Sequence, residues 1–395
     1  MTPVFVTCHT AVSCLGAGLA ATRAALLAER SGLAPCRFDT VDLDTYVGEV
    51  AGVDEVALPA ALARFECRNN RLALLALRQD GLEAAVRACI DRYGAARVAV
   101  FIGTSTSGIL QTEIAYRHRG ADGALPADFL YATTHNSFSA VDFTRQYLGI
   151  AGPAAAVSCA CASSAKVFAQ AARMLACGLI DAALVGGVDS LCLTTLYGFH
   201  SLQLTSSRPC RPFDAARDGL SIGEAAAFVL LEREPRDGDA ALALLGTGES
   251  SDAHHMSAPH PAGLGARLAM QEALQAAGLT PERIDYVNLH GTGTPGNDKA
   301  ESKAVNALFD AATPCSSTKA ATGHALGAAG ALEAVISLIA LEAGVVPAGL
   351  NVQEIEPELQ LAYATRHQEK PLSHVLSNSF GFGGANCSLV FGRAA

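Results

Sequence analysis

Short apolar, often β-branched runs alternate along the chain with longer Ala/Leu-rich segments of helical period, the pattern of an α/β fold. The runs predict strands at Val98–Ile102, Ala182–Val185, Ala226–Leu231, Tyr286–Leu289 and Ser388–Phe391. Helices are predicted over Ser163–Ala176, closed by Gly178, and over Ala266–Ala277, closed by Gly278, since a glycine just past a helix takes the left-handed cap. The most apolar stretch, Ala325–Leu350, is broken by Glu333 and Glu342. It reads as a buried helix followed by a strand, not a membrane span.

A faint internal repeat organises these elements. A strand runs into a Gly/Thr loop at Arg97–Gly108 and again at Arg283–Thr294. A small-residue turn then opens a helix, VSCACASSAKVFAQAARML from Val157 and SSTKAATGHALGAAGALEAV from Ser316. Each half ends on a Gly/Ala-rich strand, GEAAAFVLLE from Gly223 and GGANCSLVFG from Gly383. Three elements in the same order suggest a duplicated βαβ unit, residues 1–235 and 236–395, joined near Glu232–Ala240. Echoes of this kind also arise by chance in α/β chains, and the functional groups decide between the two readings because they fall at matching places.

Composition narrows the setting. The 395 residues carry 28 basic and 38 acidic side chains, a net charge of −10, which argues against nucleic acid or an anionic membrane as the main partner. The opening MTPVFVTCHTAVSCLG has no basic stretch before its apolar residues, so a secretory signal is not expected. Twelve cysteines are scattered without CxxC pairs and are expected to be reduced and mostly buried, in a cytoplasmic setting.

Cys161 lies between a strand-like run, Ala154–Ser158, and the helix from Ser163. A thiol at a helix N-terminus meets unsatisfied N–H groups that favour thiolate, whereas an inert buried cysteine is the plain alternative. His290 ends a strand run and enters Gly291-Thr292-Gly293-Thr294-Pro295, facing a cleft or serving as a structural histidine. His324 opens the second small-residue helix, the repeat counterpart of Cys161, where a helix end favours neutral imidazole. Lys319 and Glu333 flank it, as a plain ion pair or as a pair that fixes a histidine tautomer. The stretch Asn378–Asn386 (NSFGFGGAN) is a tight turn in which one N–H is placed to complete an oxyanion hole with that of Cys161. His254, His255 and His260 lack companion ligands at usual spacings, so no metal is expected, and no Gly-rich loop has nucleotide-binding form.

These residues together resemble the elongating β-ketoacyl-[acyl carrier protein] synthases. The resemblance rests on Ala160-Cys161-Ala162-Ser163-Ser164, HGTGTP at His290, STKAATGH ending at His324, NSFGFGGAN, and the shorter Arg211–Asp214, Arg217–Gly219 and Gly223–Glu224 motifs, and it spans about Pro3 to Gly392. It implies the thiolase fold, two similar halves stacked as αβαβα layers, and a dimer whose interface includes the strand before Cys161. Carried over, it makes Cys161 the nucleophile, His290 and His324 the paired histidines, and Lys319 with Glu333 their supporting pair. Phe382 would be the gate whose N–H completes the oxyanion hole. Thr292 and Thr294 would hold the phosphopantetheine arm, and Phe199, Phe380 and the Thr104–Leu110 stretch would lie along the acyl pocket. No cofactor is implied beyond that arm of the acyl carrier protein.

The reaction implied is condensation of a Cys-bound acyl chain with malonyl carrier, with loss of CO2, in fatty-acid or specialised polyketide synthesis. The Thr104–Gly108 loop and HNSFSAVDF (His135–Phe143) resemble ketosynthases of aryl polyene clusters more than housekeeping enzymes. Cys159 departs from the family, which usually has Thr or Ser there. A thiolase would need a second cysteine in Gly381–Ala385, and a priming synthase an Asn where His324 stands. The other reading is a non-catalytic, chain-length-determining partner, but such subunits typically lose the nucleophile that this chain keeps. Homodimer and heterodimer with such a relative both fit. Carrier proteins are acidic, and Arg64, Arg68 and Arg71 recur at helical spacing, as a docking patch or as a solvated helix face.

Overall fold

The computed structural model describes residues 1–235 and 242–394. Ten strands form the frame: β1 (Val4–Ser13), β2 (Val98–Gly103), β3 (Ala154–Val157), β4 (Ala182–Asp189), β5 (Ala225–Glu232), β6 (Leu242–Ser251), β7 (Tyr286–Asn288), β8 (Cys315–Ser316), β9 (His374–Phe380) and β10 (Ala385–Arg393). Their spatial order is β8-β7-β9-β10-β6-β1-β5-β4-β2-β3. Read outward from the centre, the strands of the first half run first, fifth, fourth, second, third, and those of the second half run the same. Strand senses match as well: β2 is parallel to β3 and β4, as β7 is to β8 and β9, and the other neighbours are antiparallel. The halves meet where β1 pairs with β6, Val4 opposite Leu244. The joint expected near Glu232–Ala240 runs into residues 236–241, which lie outside the described residues.

Helices on the outer faces are α1 (Arg68–Leu77), α2 (Leu82–Tyr93) and α3 (Ser139–Leu148) on the first half, with α6 (Leu264–Ala277) and α7 (Pro295–Asn306) on the second. Between the two halves of the sheet lie α4 (Ser163–Ala176) and α8 (Ala329–Ala343), in one apolar cluster with residues of both halves such as Phe101, Val185, Val375 and Phe391. The result is five layers, αβαβα. α5 (Leu193–Ser201) lies near the active cleft. Covered on both faces, β2, β4 and β5 are buried at every position, so they read as continuous apolar runs. α8 is buried nearly all round, and the stretch Leu326–Ala343, long and apolar enough to cross a membrane, is 89% buried inside the protein.

β4 continues four residues past the predicted Val185, through Gly186 and Gly187, which look like a turn in the sequence. These glycines are needed for close packing: a Cβ on Gly187 would stand 2.5 Å from the Ser164 Cβ and 2.8 Å from the Ala328 Cα. The central helices also touch through glycine, since a Cβ on Gly330 would meet the Ala165 nitrogen at 2.7 Å. This contact brings the loops ahead of α4 and α8, which carry Cys161 and His324, against each other.

Candidate active site

Cys161 sits in the turn from β3 to α4, where Ala160 takes a left-handed φ of 49°. Ser163 clips that turn: its hydroxyl accepts from the Cys159 N–H (2.8 Å) and donates to the Ala160 carbonyl (2.5 Å). His290 follows β7, and the His290 and Gly291 N–H groups both donate to buried Glu301 at 2.7 Å. His324 is held from the other half, its N–H donating to the Ser221 carbonyl (2.8 Å) and its carbonyl accepting from the Gly223 N–H (3.0 Å). Opposite halves therefore supply the sulfur and the imidazoles.

The three side chains converge. His324 Nε2 lies 3.1 Å from Cys161 Sγ, and the two imidazole rings are perpendicular with centroids 5.3 Å apart. All three are at most 5% exposed. They share a cavity of about 240 Å³ with Phe199, Thr292, Thr294, Phe380 and Phe382. Phe382 stacks on Phe199 at 5.7 Å, its N–H directed at the Cys161 sulfur. Thr292 and Thr294 share a hydrogen bond between their hydroxyls at 2.9 Å.

Lys319 and Glu333 form a buried ion pair beneath the histidines. The Lys319 ammonium also donates to the His290 carbonyl (2.5 Å) and faces His290 Nδ1 at 3.4 Å. With Nδ1 turned to a cation, the ring proton belongs on Nε2. Burial, then Lys319, holds both imidazoles well below the ordinary histidine value, so both are neutral near neutral pH. Burial pushes the Glu333 carboxyl up to about 7 against the pull of Lys319. Cys161 Sγ and the two imidazoles each bring a ligand atom within 4.8 Å of the others, a spacing that a metal ion would bridge, and Lys319 sets a positive charge against one.

Four expectations are corrected here. The thiolate expected of Cys161 at a helix end does not form unaided: burial pushes the thiol up to about 11, outweighing Lys319 and the Phe382 N–H. His324 lies two residues ahead of a 3-10 turn, Leu326–Ala328, that separates it from the start of α8 at Ala329, so burial, then Lys319, and not the end of the long helix itself, keeps it neutral. Thr104 is not among the cavity-lining residues, because its hydroxyl turns inward to donate to Asp189 at 2.6 Å.

Arg64, Arg68 and Arg71 do not form the expected basic patch. Arg64 belongs to a separate 3-10 turn, Ala60–Phe65, and donates to Gln146. Arg71 pairs with Glu66. Arg68 is only 8% exposed and pairs with Glu224, Asp54 (2.8 Å) and Glu49 (3.3 Å), so it is not available to a carrier. Arg68→Ala leaves the fully buried Glu224 carboxylate without its cation and is expected to destabilise the fold by about 3–5 kcal/mol. Chemical denaturation would read this, and activity should fall alike on carrier-bound and small thioester substrates.

Glu301 and Asp298 are site residues that sequence reasoning missed. Asp298 accepts from the Gly293 N–H (3.3 Å) and the Phe213 N–H (2.9 Å) and pairs with Arg217 (3.3 Å), so the two acids of α7 hold the loop that carries His290. The available signal was their spacing of three on the helix opened by Pro295.

Comparison with known proteins agrees with this arrangement. Residues 1–236 match the β-ketoacyl synthase N-terminal domain and residues 242–353 the C-terminal domain. The chain is 34% identical to 3-oxoacyl-[acyl-carrier-protein] synthase 2 of Vibrio cholerae, over 93% of this chain and 94% of that one. It is 33% identical to the synthase of the same name from Coxiella burnetii, over 99% and 98%. Among solved structures, the ketosynthase ApeO of Xenorhabdus doucetiae, in complex with its chain length factor ApeC, superposes with a TM-score of 0.90 at 37% identity, covering 100% of this chain and 98% of that one. With both family domains matched in order and relatives aligned along nearly its whole length, the chain belongs to the β-ketoacyl synthase family and has the thiolase fold.

Proposed function

We propose that this β-ketoacyl synthase condenses a Cys161-bound acyl chain with malonyl carrier, with loss of CO2. The observation that carries this is Cys161 Sγ lying 3.1 Å from His324 Nε2, with the His290 ring at right angles beside it. In the first half-reaction the thiol proton passes to His324 Nε2 and the sulfur attacks the acyl thioester. The carrier's sulfur leaves with the proton. The N–H groups of Cys161 and Phe382 hold the oxyanion.

In the second half-reaction malonyl carrier binds and its C–CO2 bond breaks. His290, with its proton on Nε2, donates to the enolate oxygen, and His324 donates to it from Nε2 after its proton shifts there from Nδ1. The enolate carbon attacks the Cys161 thioester, the C–S bond breaks, and the sulfur takes up a proton from solvent. The carrier leaves bearing a β-ketoacyl chain two carbons longer. Thr292 and Thr294 hold the phosphopantetheine arm, Phe382 gates the cavity, and Phe199 and Phe380 bound the acyl path. No other cofactor is needed.

The partners are an acyl carrier protein and a second subunit, either a copy of this chain or a chain-length-factor-like relative. The likeness to a ketosynthase solved with its chain length factor favours the heterodimer, and the Thr104–Gly108 and His135–Phe143 stretches support an aryl polyene pathway. A panel of acyl carriers with malonyl carrier, alone and with a co-expressed chain-length-factor relative, tests this by product mass. Products two carbons longer, with one CO2 each, are expected, and conjugated or aryl-enoyl carriers should turn over. Turnover of saturated carriers alone would overturn the aryl polyene reading.

A further inference from the structure

The catalytic gap between Cys161 and His324 crosses the boundary between the halves, so something must fix the halves in register there. Asp189, the last residue of β4, is fully buried, and among the described residues no lysine or arginine pairs with it. Its carboxylate accepts from the Thr104 hydroxyl (2.6 Å), the Ser105 N–H (2.8 Å) and hydroxyl (2.5 Å), and the Thr106 N–H (2.9 Å) and hydroxyl (2.9 Å). These donors belong to the first half. A further donor, the Gly327 N–H at 2.6 Å, belongs to the second half and lies three residues beyond His324.

We propose that Asp189 is a positioning residue that locks the His324 segment of the second half against the Cys161 half. The segment is then pinned at both ends, by Ser221 and Gly223 at His324 and by Asp189 at Gly327. Only glycine fits at the second pin: a Cβ on Gly327 would stand 2.7 Å from the Ser105 nitrogen and 2.8 Å from Asp189 Oδ2. Ser105 adds to the clip, since its hydroxyl also lies 3.2 Å from the Gly327 N–H. The Gly-Thr-Ser-Thr-Ser-Gly loop thus has a use separate from the acyl pocket: its hydroxyls and N–H groups hold a buried anion that reaches across to the other half. A misplacement of about 1 Å between reacting groups lowers rates by about a hundredfold, so losing the clip should be visible in turnover.

The inference rests on the condensation proposed above, and its test separates the two. Asp189→Asn and the milder Ser105→Ala are compared with the intact protein for acylation, condensation and alkylation of Cys161 by iodoacetamide across pH. Around the sulfur stand Lys319, the Phe382 N–H, Asp189 and the two histidines; burial does most to raise the thiol, Lys319 and the Phe382 N–H lower it, and Asp189 adds to the rise. Asp189→Asn is expected to lower kcat at least about tenfold with little change in KM, and to shift the alkylation profile to lower pH. General structural damage would not produce that pairing. Ser105→Ala should lower kcat severalfold with KM unchanged, and decides the question if Asp189→Asn does not fold. Wild-type kcat in a folded Asp189→Asn protein, or in Ser105→Ala if only that folds, would overturn the positioning role. Failure of the intact protein to form an acyl-enzyme would overturn the condensation reading, while the alkylation profiles would still report on Asp189.

Discussion

Cys161→Ala is expected to abolish condensation, lowering turnover by at least about 10⁴-fold, because removing the nucleophile of a catalytic group that acts as a unit removes the covalent route. No nearby residue replaces it in the same geometry. Cys159 lies two residues away, on the other side of the left-handed Ala160 turn, while the Phe382 N–H and His324 Nε2 are directed at the Cys161 sulfur. The variant should fold normally, since the change removes one small atom from a site that is 5% exposed. Intact mass after incubation with acyl carrier alone would show the wild-type protein acylated and the variant unmodified.

Replacing the histidines separates the half-reactions. His290→Ala and His324→Ala should each lower condensation by about a hundredfold or more, the usual consequence of losing one preorganised donor to a developing oxyanion. They should differ in acylation. His324 Nε2 faces the sulfur at 3.1 Å, so His324→Ala slows transfer to Cys161 as well, whereas His290→Ala leaves that step nearly intact. Single-turnover acylation and condensation, measured separately, give the comparison.

The pH dependence follows from the same groups. Both imidazoles are held well below the ordinary histidine value, so each loses its proton at lower pH than usual and remains neutral across the neutral range. Condensation should therefore not fall as pH is lowered through about 6.5, the ordinary histidine value. The thiol, pushed up to about 11, should show iodoacetamide alkylation that keeps rising with pH well past neutrality.

Much of this site was legible in the sequence because its parts are local. Cys161, His290 and His324 each sit in a short motif where small residues surround one reactive side chain, and repeat order placed two of them at comparable positions. The predicted span of α4, Ser163–Ala176, is the observed one, since its amphipathic period and the glycine at its end agree. What remained hidden depends on distant partners. β1 and β6 join the halves, yet their polar interruptions and lack of a turn signature kept them from standing out. Arg64, Arg68 and Arg71 looked like one helical face. The chain instead breaks after Phe65, and Glu224, more than 150 residues away, draws Arg68 inside. Thr104 looked like a pocket residue because nothing local reveals the buried Asp189 that claims its hydroxyl. Burial likewise reversed the charge expected of Cys161, since a helix end favours thiolate only where the sulfur keeps enough solvation.

The central claim is that Cys161 carries the acyl chain and passes it to a carbanion made from malonyl carrier. Intact mass spectrometry of the protein tests it most directly, first with acyl carrier alone and then after malonyl carrier is added. The account predicts a single acyl adduct on Cys161 that persists until malonyl carrier arrives, then disappears as CO2 and a β-ketoacyl carrier two carbons longer form. An adduct on a different residue, or the longer product made equally well by Cys161→Ala, would contradict it.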